Sequence, residues 1–98
     1  MGALVDSDTQ YLLKLFVTGS SKRTELAIAN LRRICEEEFP GCYDLVVVDV
    51  LSHPALAEEN KILAAPTLIK VRPLPVRRII GDLSDKGKVL AGIGLLAN

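Results

Sequence analysis

The sequence predicts a single α/β domain in which strands and helices alternate along the chain. Three observations support this: an apolar run begins at Tyr11, apolar residues at helical spacing follow it, and a second β-branched run begins at Asp44. The chain has 98 residues, enough for one hydrophobic core, and we assign Tyr11–Asn98 to this domain. Met1–Gln10 shows no apolar period and is predicted to be a flexible lead-in.

The first half of the chain is predicted to form a strand, helix, strand unit. The run Tyr11–Val17 is apolar apart from Lys14, which suits a central strand with Lys14 at an end or a functional edge. Lys22–Phe39 carries apolar residues three and four positions apart, and it follows Ser20-Ser21, either of which can cap a helix. Asp44–Val50 is expected to run parallel to the first strand because βαβ units make right-handed crossovers.

The second half is predicted to contain a short helix and a hairpin. Ser52 offers a helix cap and proline suits a first helical turn, so Pro54–Leu63 is predicted to be helical. The β-branched runs Thr67–Val71 and Val76–Ile80 flank Pro73-Leu74-Pro75, which predicts a hairpin because proline suits turns and sheet edges.

A last helix is predicted from a cap at Ser84 to about Leu96, but its sequence favours helix only weakly. Gly87, Gly92 and Gly94 each cost roughly 1 kcal/mol relative to alanine in a helix interior. Because total stability is typically about 5 to 15 kcal/mol, such a loss leaves the conformation of this segment open to competition.

The predicted element order, βαβαββα, is that of thioredoxin-like folds. Ala65-Pro66-Thr67 places an X-Pro bond at the entry to a strand, where such folds have a cis-proline. Alternatively, Pro66, Pro73 and Pro75 simply punctuate an edge hairpin.

Charge is balanced overall but unevenly distributed. The chain has 12 basic and 12 acidic residues, which disfavours nucleic-acid binding as its main role. Lys61–Gly81 contains five basic residues and no acidic residue, so the hairpin is predicted to carry a positive face. Cys35–Asn60 contains seven acidic residues and neither Lys nor Arg. Self-association, docking to a charged partner and a solvated surface all remain open uses of this pattern.

The sequence lacks the residues that several classes of chemistry require. Cys35 and Cys42 have neither redox nor zinc spacing, and Ser20-Ser21 occupies the place of the Cys-x-x-Cys motif of thioredoxin-like oxidoreductases. His53 has no evident triad or zinc partners, and the chain has no phosphate-binding glycine motif. We therefore predict no enzymatic activity, no metal and no cofactor.

No apolar run approaches the about 18 to 20 residues that span a bilayer, so we predict a cytoplasmic protein without a membrane span. Peripheral contact with a membrane surface stays open.

From Tyr11 to Leu96 the chain resembles the KaiB family of circadian clock proteins. The resemblance begins with YLLKL at Tyr11–Leu15, continues through PALAEE at Pro54–Glu59, and is most specific in PVRRIIGDLS at Pro75–Ser84. It implies a non-enzymatic clock component that binds the ATPase ring of KaiC, competes there with a sensor histidine kinase, and captures KaiA, so that KaiC phosphorylation falls. It also implies a metamorphic protein, with the βαβαββα order in one state and βαββααβ in a tetrameric ground state; the residues themselves fit a homo-oligomer that is a tetramer or a dimer.

The resemblance places five basic residues on the surface that faces the ATPase: Lys14, Lys61, Lys70, Arg77 and Arg78. Alternatively, their stems only cover the apolar edge of the hairpin. The residues predicted to act in fold switching are Pro66, Pro73, Pro75, Gly92 and Gly94. Slow X-Pro bonds and a weak last helix make rearrangement plausible. We expect Gly92→Ala to favour the helical C-terminus and to speed capture by the ATPase.

Departures from the family pattern support an alternative function. Val46 stands where cyanobacterial clock members carry a lysine, and Leu26 and Ala29 replace basic positions of the first helix. The chain would then be a paralogue that regulates a different KaiC-like ATPase in stress or metabolic signalling. Two further hypotheses are an input domain like the sensor region of a clock histidine kinase and a thiol-redox enzyme.

Overall fold

The computed structural model describes residues 10–94. Seven elements follow one another as β1 (Tyr11–Val17), α1 (Lys22–Glu38), β2 (Tyr43–Asp49), α2 (Pro54–Glu59), β3 (Thr67–Arg72), β4 (Arg77–Ile80) and α3 (Lys86–Gly92). The predicted order βαβαββα is confirmed. The predicted flexible segment, apart from Gln10, and the predicted helical residues beyond Gly94 lie outside the described residues.

The four strands form one sheet in the order β2-β1-β3-β4. β1 pairs in parallel with β2, as the crossover connection through α1 allows, and antiparallel with β3, which pairs antiparallel with β4. β1 is therefore central, as predicted, and Leu13, Leu15 and Phe16 are buried. Strands β2 and β4 form the two edges.

The sheet has one well-covered face and one that is covered only in part. α1 and α3 both pack on the first face, where Leu15 and Leu68 of the sheet meet Leu31 of α1 and Val89 of α3. The opposite face carries a smaller cluster that contains Phe16, Val48 and Ile69, packed against residues on either side of α2. Consecutive strand residues point to opposite faces of the sheet. The face that α1 and α3 cover holds the larger of the two clusters and therefore most of the core.

The starts of α1 and α2, at Lys22 and Pro54, were predicted correctly, but the capping residue of α2 was not. The Ser21 hydroxyl accepts a hydrogen bond from the Thr24 N–H at 3.1 Å, which caps α1. At α2 the cap position is His53 rather than Ser52, and the His53 ring makes no capping bond. α2 also ends at Glu59, four residues earlier than expected.

The predicted cap of α3 is wrong by one residue. Asp85, not Ser84, is the N-cap, and its Oδ1 accepts a hydrogen bond from the Lys88 N–H at 3.1 Å. The Ser84 N–H instead donates to Asp82 Oδ1. Gly94 has a φ of 91° and follows the end of α3, so it carries no helix-interior cost.

Candidate partner-binding surface

The basic residues of the hairpin lie on both faces of the sheet. Lys14 pairs with Ile69, and Ile69 pairs with Arg78, so Lys14 and Arg78 share the face that holds the smaller cluster. Lys70 pairs with Arg77, and both lie on the α1 face. The predicted positive charge of the hairpin is therefore divided between the two faces, because adjacent basic residues in a strand point in opposite directions.

Lys70 and Arg77 place two cations side by side near one edge of the sheet. Arg77 is exposed, whereas Lys70 is only 4% exposed. Within residues 10–94, no carboxylate oxygen lies within 4 Å of Lys70 Nζ. Burial, with a smaller contribution from the Arg77 guanidinium, lowers the pKa of Lys70. An anion brought to this pair would be attracted by two positive charges, one of them poorly solvated.

Arg78 makes contacts within the protein. Its guanidinium donates hydrogen bonds to the carbonyl oxygens of Lys61, at 3.2 Å, and Asn60. Lys61 has a φ of 54°, a left-handed conformation just after the end of α2. Arg78 thus joins edge strand β4 to the C-terminal end of α2, so the structure gives it a structural role in addition to its predicted part in partner binding.

Lys14 lies on the face that α2 covers only in part. Its neighbours in β2 and β3 are Val46 and Ile69. Val46 is 43% exposed, and Ile80 of β4, on the same face, is 64% exposed. Lys14 therefore sits beside accessible apolar side chains, a mixture that suits protein contacts more than solvation alone.

The predicted fold-switch residues lie in the second half of the fold. The bonds that precede Pro66, Pro73 and Pro75 are all cis, which confirms the expected cis-proline at the entry to β3. Gly92 contacts β4: a Cβ atom there would lie 2.6 Å from Ile79 Cγ1. The expectation for Gly92→Ala must be limited accordingly, because the alanine gains helix propensity only if Ile79 moves.

Two sets of polar contacts were missed by the sequence analysis. Asn30 of α1 is buried, and its side chain bonds to the backbone of Asp82. Lys86 Nζ lies 2.9 Å from Glu37 Oε1 and 2.8 Å from Glu38 Oε2, which ties α3 to the end of α1. The buried role of Asn30 could have been predicted from its place as a polar residue on the apolar stripe of α1. Nothing in the sequence predicts the pairing of Lys86 with Glu37 and Glu38.

The loop after β1 contains no cysteine and is fixed by hydrogen bonds. Asp49 Oδ1 accepts from the Gly19 N–H at 3.0 Å and the Leu51 N–H at 2.9 Å, which lower the Asp49 pKa. Burial, with a smaller contribution from Glu36, raises the pKa of Cys35 to about 12. Among residues 10–94 no three His, Cys, Asp or Glu side chains are grouped to hold a metal, and no helix is long and apolar enough to cross a membrane.

The fold and this surface define a thioredoxin-like domain that lacks the thiol pair of an oxidoreductase and carries two adjacent cations on its last hairpin. Oxidized mitochondrial thioredoxin 3 from Saccharomyces cerevisiae has a TM-score of 0.70 at 20% identity, over 95% of this chain and 85% of that chain. The N-terminal domain of SasA from Synechococcus elongatus has a TM-score of 0.74 at 21% identity, over 92% and 89%. At these identities the likeness shows the fold alone.

Sequence comparison gives the family. A KaiB domain model matches residues 14–95. The circadian clock oscillator protein KaiB of Synechococcus elongatus is 60% identical over 86 residues, 88% of this chain and 84% of the relative. The KaiB of Rippkaea orientalis is 54% identical over 93 residues, 95% and 89%. The chain belongs to the KaiB family, as the sequence resemblance indicated, and KaiB proteins are non-enzymatic clock components.

Proposed function

We propose that the chain is a circadian clock oscillator component that binds a KaiC-type ATPase ring and lowers its phosphorylation. The names of its relatives support the clock role. The observation that carries the binding role is the Lys70–Arg77 pair, which has no carboxylate within 4 Å of Lys70 Nζ in the described part of the chain. An acidic surface of the ATPase supplies the missing negative charge, which favours encounter and fixes the orientation of the bound chain.

Competition with a sensor kinase follows from the shared fold. The SasA N-terminal domain and this chain have the same architecture at a TM-score of 0.74, so both fit a site shaped for a thioredoxin-like domain. The bound chain excludes such a kinase and, in the same complex, sequesters KaiA. We expect the oligomer, and its complex with the ATPase, to form in the cytoplasm.

The thioredoxin-like arrangement is the binding-competent state of a chain that also forms an oligomeric βαββααβ ground state. The unit β1, α1, β2 has its own parallel pairing and packed helix, so it can persist while the second half rearranges. When the competent state is a small fraction of the population, the apparent affinity for the ATPase falls in proportion to that fraction. Capture is therefore expected to be slow.

Size-exclusion chromatography with light scattering tests this function, on the chain alone and after hours with a KaiC-type ATPase. We expect a free oligomer that dissociates and slowly comigrates with the ring as monomers. Arg77→Glu should weaken comigration, and Lys22→Glu, the same charge change in exposed α1, should not. A persistent oligomer that never joins the ring would overturn the proposal.

A second candidate function is regulation of a different KaiC-like ATPase in stress or metabolic signalling. Val46 favours it, because its exposed apolar side chain in β2 stands where clock members carry a lysine. A pull-down with KaiA and with both kinds of ATPase separates the two functions. Two results together would favour the paralogue: the unchanged chain captures only the second ATPase, and the Val46→Lys variant gains binding to KaiA. Capture of both KaiC and KaiA by the unchanged chain would exclude it.

A further inference from the structure

A buried asparagine connects the first half of the fold to the loop between β4 and α3. Asn30 is 6% exposed, and its Nδ2 donates a hydrogen bond to the Asp82 carbonyl oxygen at 3.0 Å, across 52 positions of sequence. Asn30 Oδ1 is held separately by Arg33 Nη1 at 3.5 Å. The amide N–H of Asn30 is therefore satisfied here by a loop that belongs to the second half of the fold, and a buried donor left without a partner is costly.

The loop that Asn30 holds has an unfavourable backbone. Leu83 has a φ of 63°, in the left-handed region that leucine rarely adopts, and Gly81 next to Asp82 has a φ of 132°. The Leu83 side chain is buried in the main core, which fixes the residue in this conformation. Burial of Leu83 and the bond from Asn30 thus oppose the backbone preference of the loop.

The same loop positions α3 beside the cation pair. α3 begins directly after it and packs against β4 through Gly92 and Ile79. At the end of α3, a Cβ atom on Gly94 would lie 3.5 Å from Arg77 Nε, so the segment ends against the Arg77 side chain. The closed loop therefore determines the surroundings of Arg77.

We propose that Asn30 is a latch: residues 81–94 open as a unit away from β1, α1 and β2, and the bond from Asn30 to Asp82 sets how often they do so. The link to binding rests on the proposed function, because the ATPase is taken to recognise the closed state. Loss of the latch leaves the β1, α1, β2 unit intact and increases the open population of the 81–94 segment.

Hydrogen exchange of the free chain, read residue by residue by NMR, tests the latch without any partner. In Asn30→Ala we expect the amides of Val89 and Ile93, bonded to Asp85 and Val89 carbonyls, to exchange about tenfold faster or more. Amides of β1 and β2 should keep their rates. Asn60→Ala, which removes an exposed side-chain bond to Leu56, is the matched control and should leave residues 81–94 unchanged.

Uniform acceleration across all strands would overturn the latch, since Asn30 would then contribute only to global stability; no acceleration would overturn it equally. Asn30→Asp, which keeps the volume and loses the donor, gives the same pattern if Asn30→Ala does not fold. Ring binding is measured in parallel, where Asn30→Ala should weaken capture severalfold. Selective exchange in a chain that never binds a ring would uphold the latch and reject the proposed function. Selective exchange with full-strength capture would reject the link between them.

Discussion

A Cβ atom added at Gly92 would lie 2.6 Å from Cγ1 and 2.7 Å from Cδ1 of Ile79, so α3 packs on β4 at a distance that a glycine permits. Gly92→Ala gains about 1 kcal/mol of helix propensity. Displacement of Ile79 from its rotamer costs about 1 kcal/mol, so the two effects nearly cancel. In the Ile79→Ala background the obstacle is gone, and the full gain of about 1 kcal/mol in the free energy of unfolding is expected.

Urea denaturation of the four combinations of Gly92→Ala and Ile79→Ala measures this coupling. Gly87→Ala is the control within α3, because a Cβ there meets Asp85 Oδ1 at an ordinary 3.4 Å. Its effect should be the same in both backgrounds. An equal gain from Gly92→Ala with and without the Ile79 side chain would show that Ile79 does not restrict α3.

Lys70 is expected to destabilise the free protein near neutral pH. Its pKa is lowered by burial and by Arg77, so the unfolded chain binds more protons than the folded one between the folded and unfolded pKa values. The penalty is complete below the folded pKa and disappears as pH rises toward the ordinary lysine value near 10.5. Lys70→Met should therefore raise the free energy of unfolding by on the order of 1 kcal/mol at pH 7.

The difference in unfolding free energy between Lys70→Met and the unchanged chain, followed from pH 7 to 10 by urea denaturation, checks this prediction. The difference should shrink as pH rises. Lys61→Met, which removes an exposed lysine, should show little difference at any pH. A Lys70→Met variant less stable than the unchanged chain at pH 7 would contradict the assignment.

Arg77 and Arg78 are neighbours in sequence with separable roles. Arg78→Lys loses the paired bonds to the Asn60 and Lys61 carbonyls, so it should lower the free energy of unfolding by about 1 kcal/mol. Arg77→Lys keeps the charge and should leave stability nearly unchanged.

Charge reversal of both Arg77 and Arg78 to glutamate should weaken ring binding, and much more at low salt than at high salt. Denaturation and salt-dependent binding are the two measurements; a binding defect of equal size at all salt concentrations would contradict the charge argument.

The two cysteines should differ in reactivity. The thiolate is the nucleophile, and the Cys35 thiol is buried with a pKa of about 12, whereas Cys42 is half-buried. Iodoacetamide at pH 8 should label the folded chain at Cys42 and leave Cys35 unmodified, as read by mass spectrometry. Cys42→Ser should abolish labelling until urea unfolds the chain. Rapid native labelling of Cys35 would contradict its burial.

Local patterns predicted the elements well, since apolar spacing identified β1, α1 and the hairpin to within one or two residues at most ends. Local patterns could not predict on which face of the sheet each basic residue lies. Whether Lys70 and Arg78 share a face depends on the strand register. The observed register pairs Arg78 with Ile69 and Lys70 with Arg77, so Lys70 and Arg78 lie on opposite faces. The cap at Asp85 was missed for a similar reason, because two adjacent residues, Ser84 and Asp85, both suit the role.

Tertiary contacts explain the remaining differences. The buried bond of Asn30 joins positions 52 apart, and propensity carries no information at that range. Gly92 has only an unfavourable value on a helix scale, although in the fold its lack of a side chain lets α3 approach Ile79.

The strand order also bears on how the chain is made. β1 lies in the middle of the sheet, with β2 on one side and β3 on the other. During synthesis, Tyr11–Asp49 leaves the ribosome first and can form β1, α1 and β2 before the hairpin emerges. Strands β3 and β4 then add to the free edge of β1 without breaking any pairing between β1 and β2. The order of emergence thus supplies a finished three-element unit against which the later half of the chain can fold.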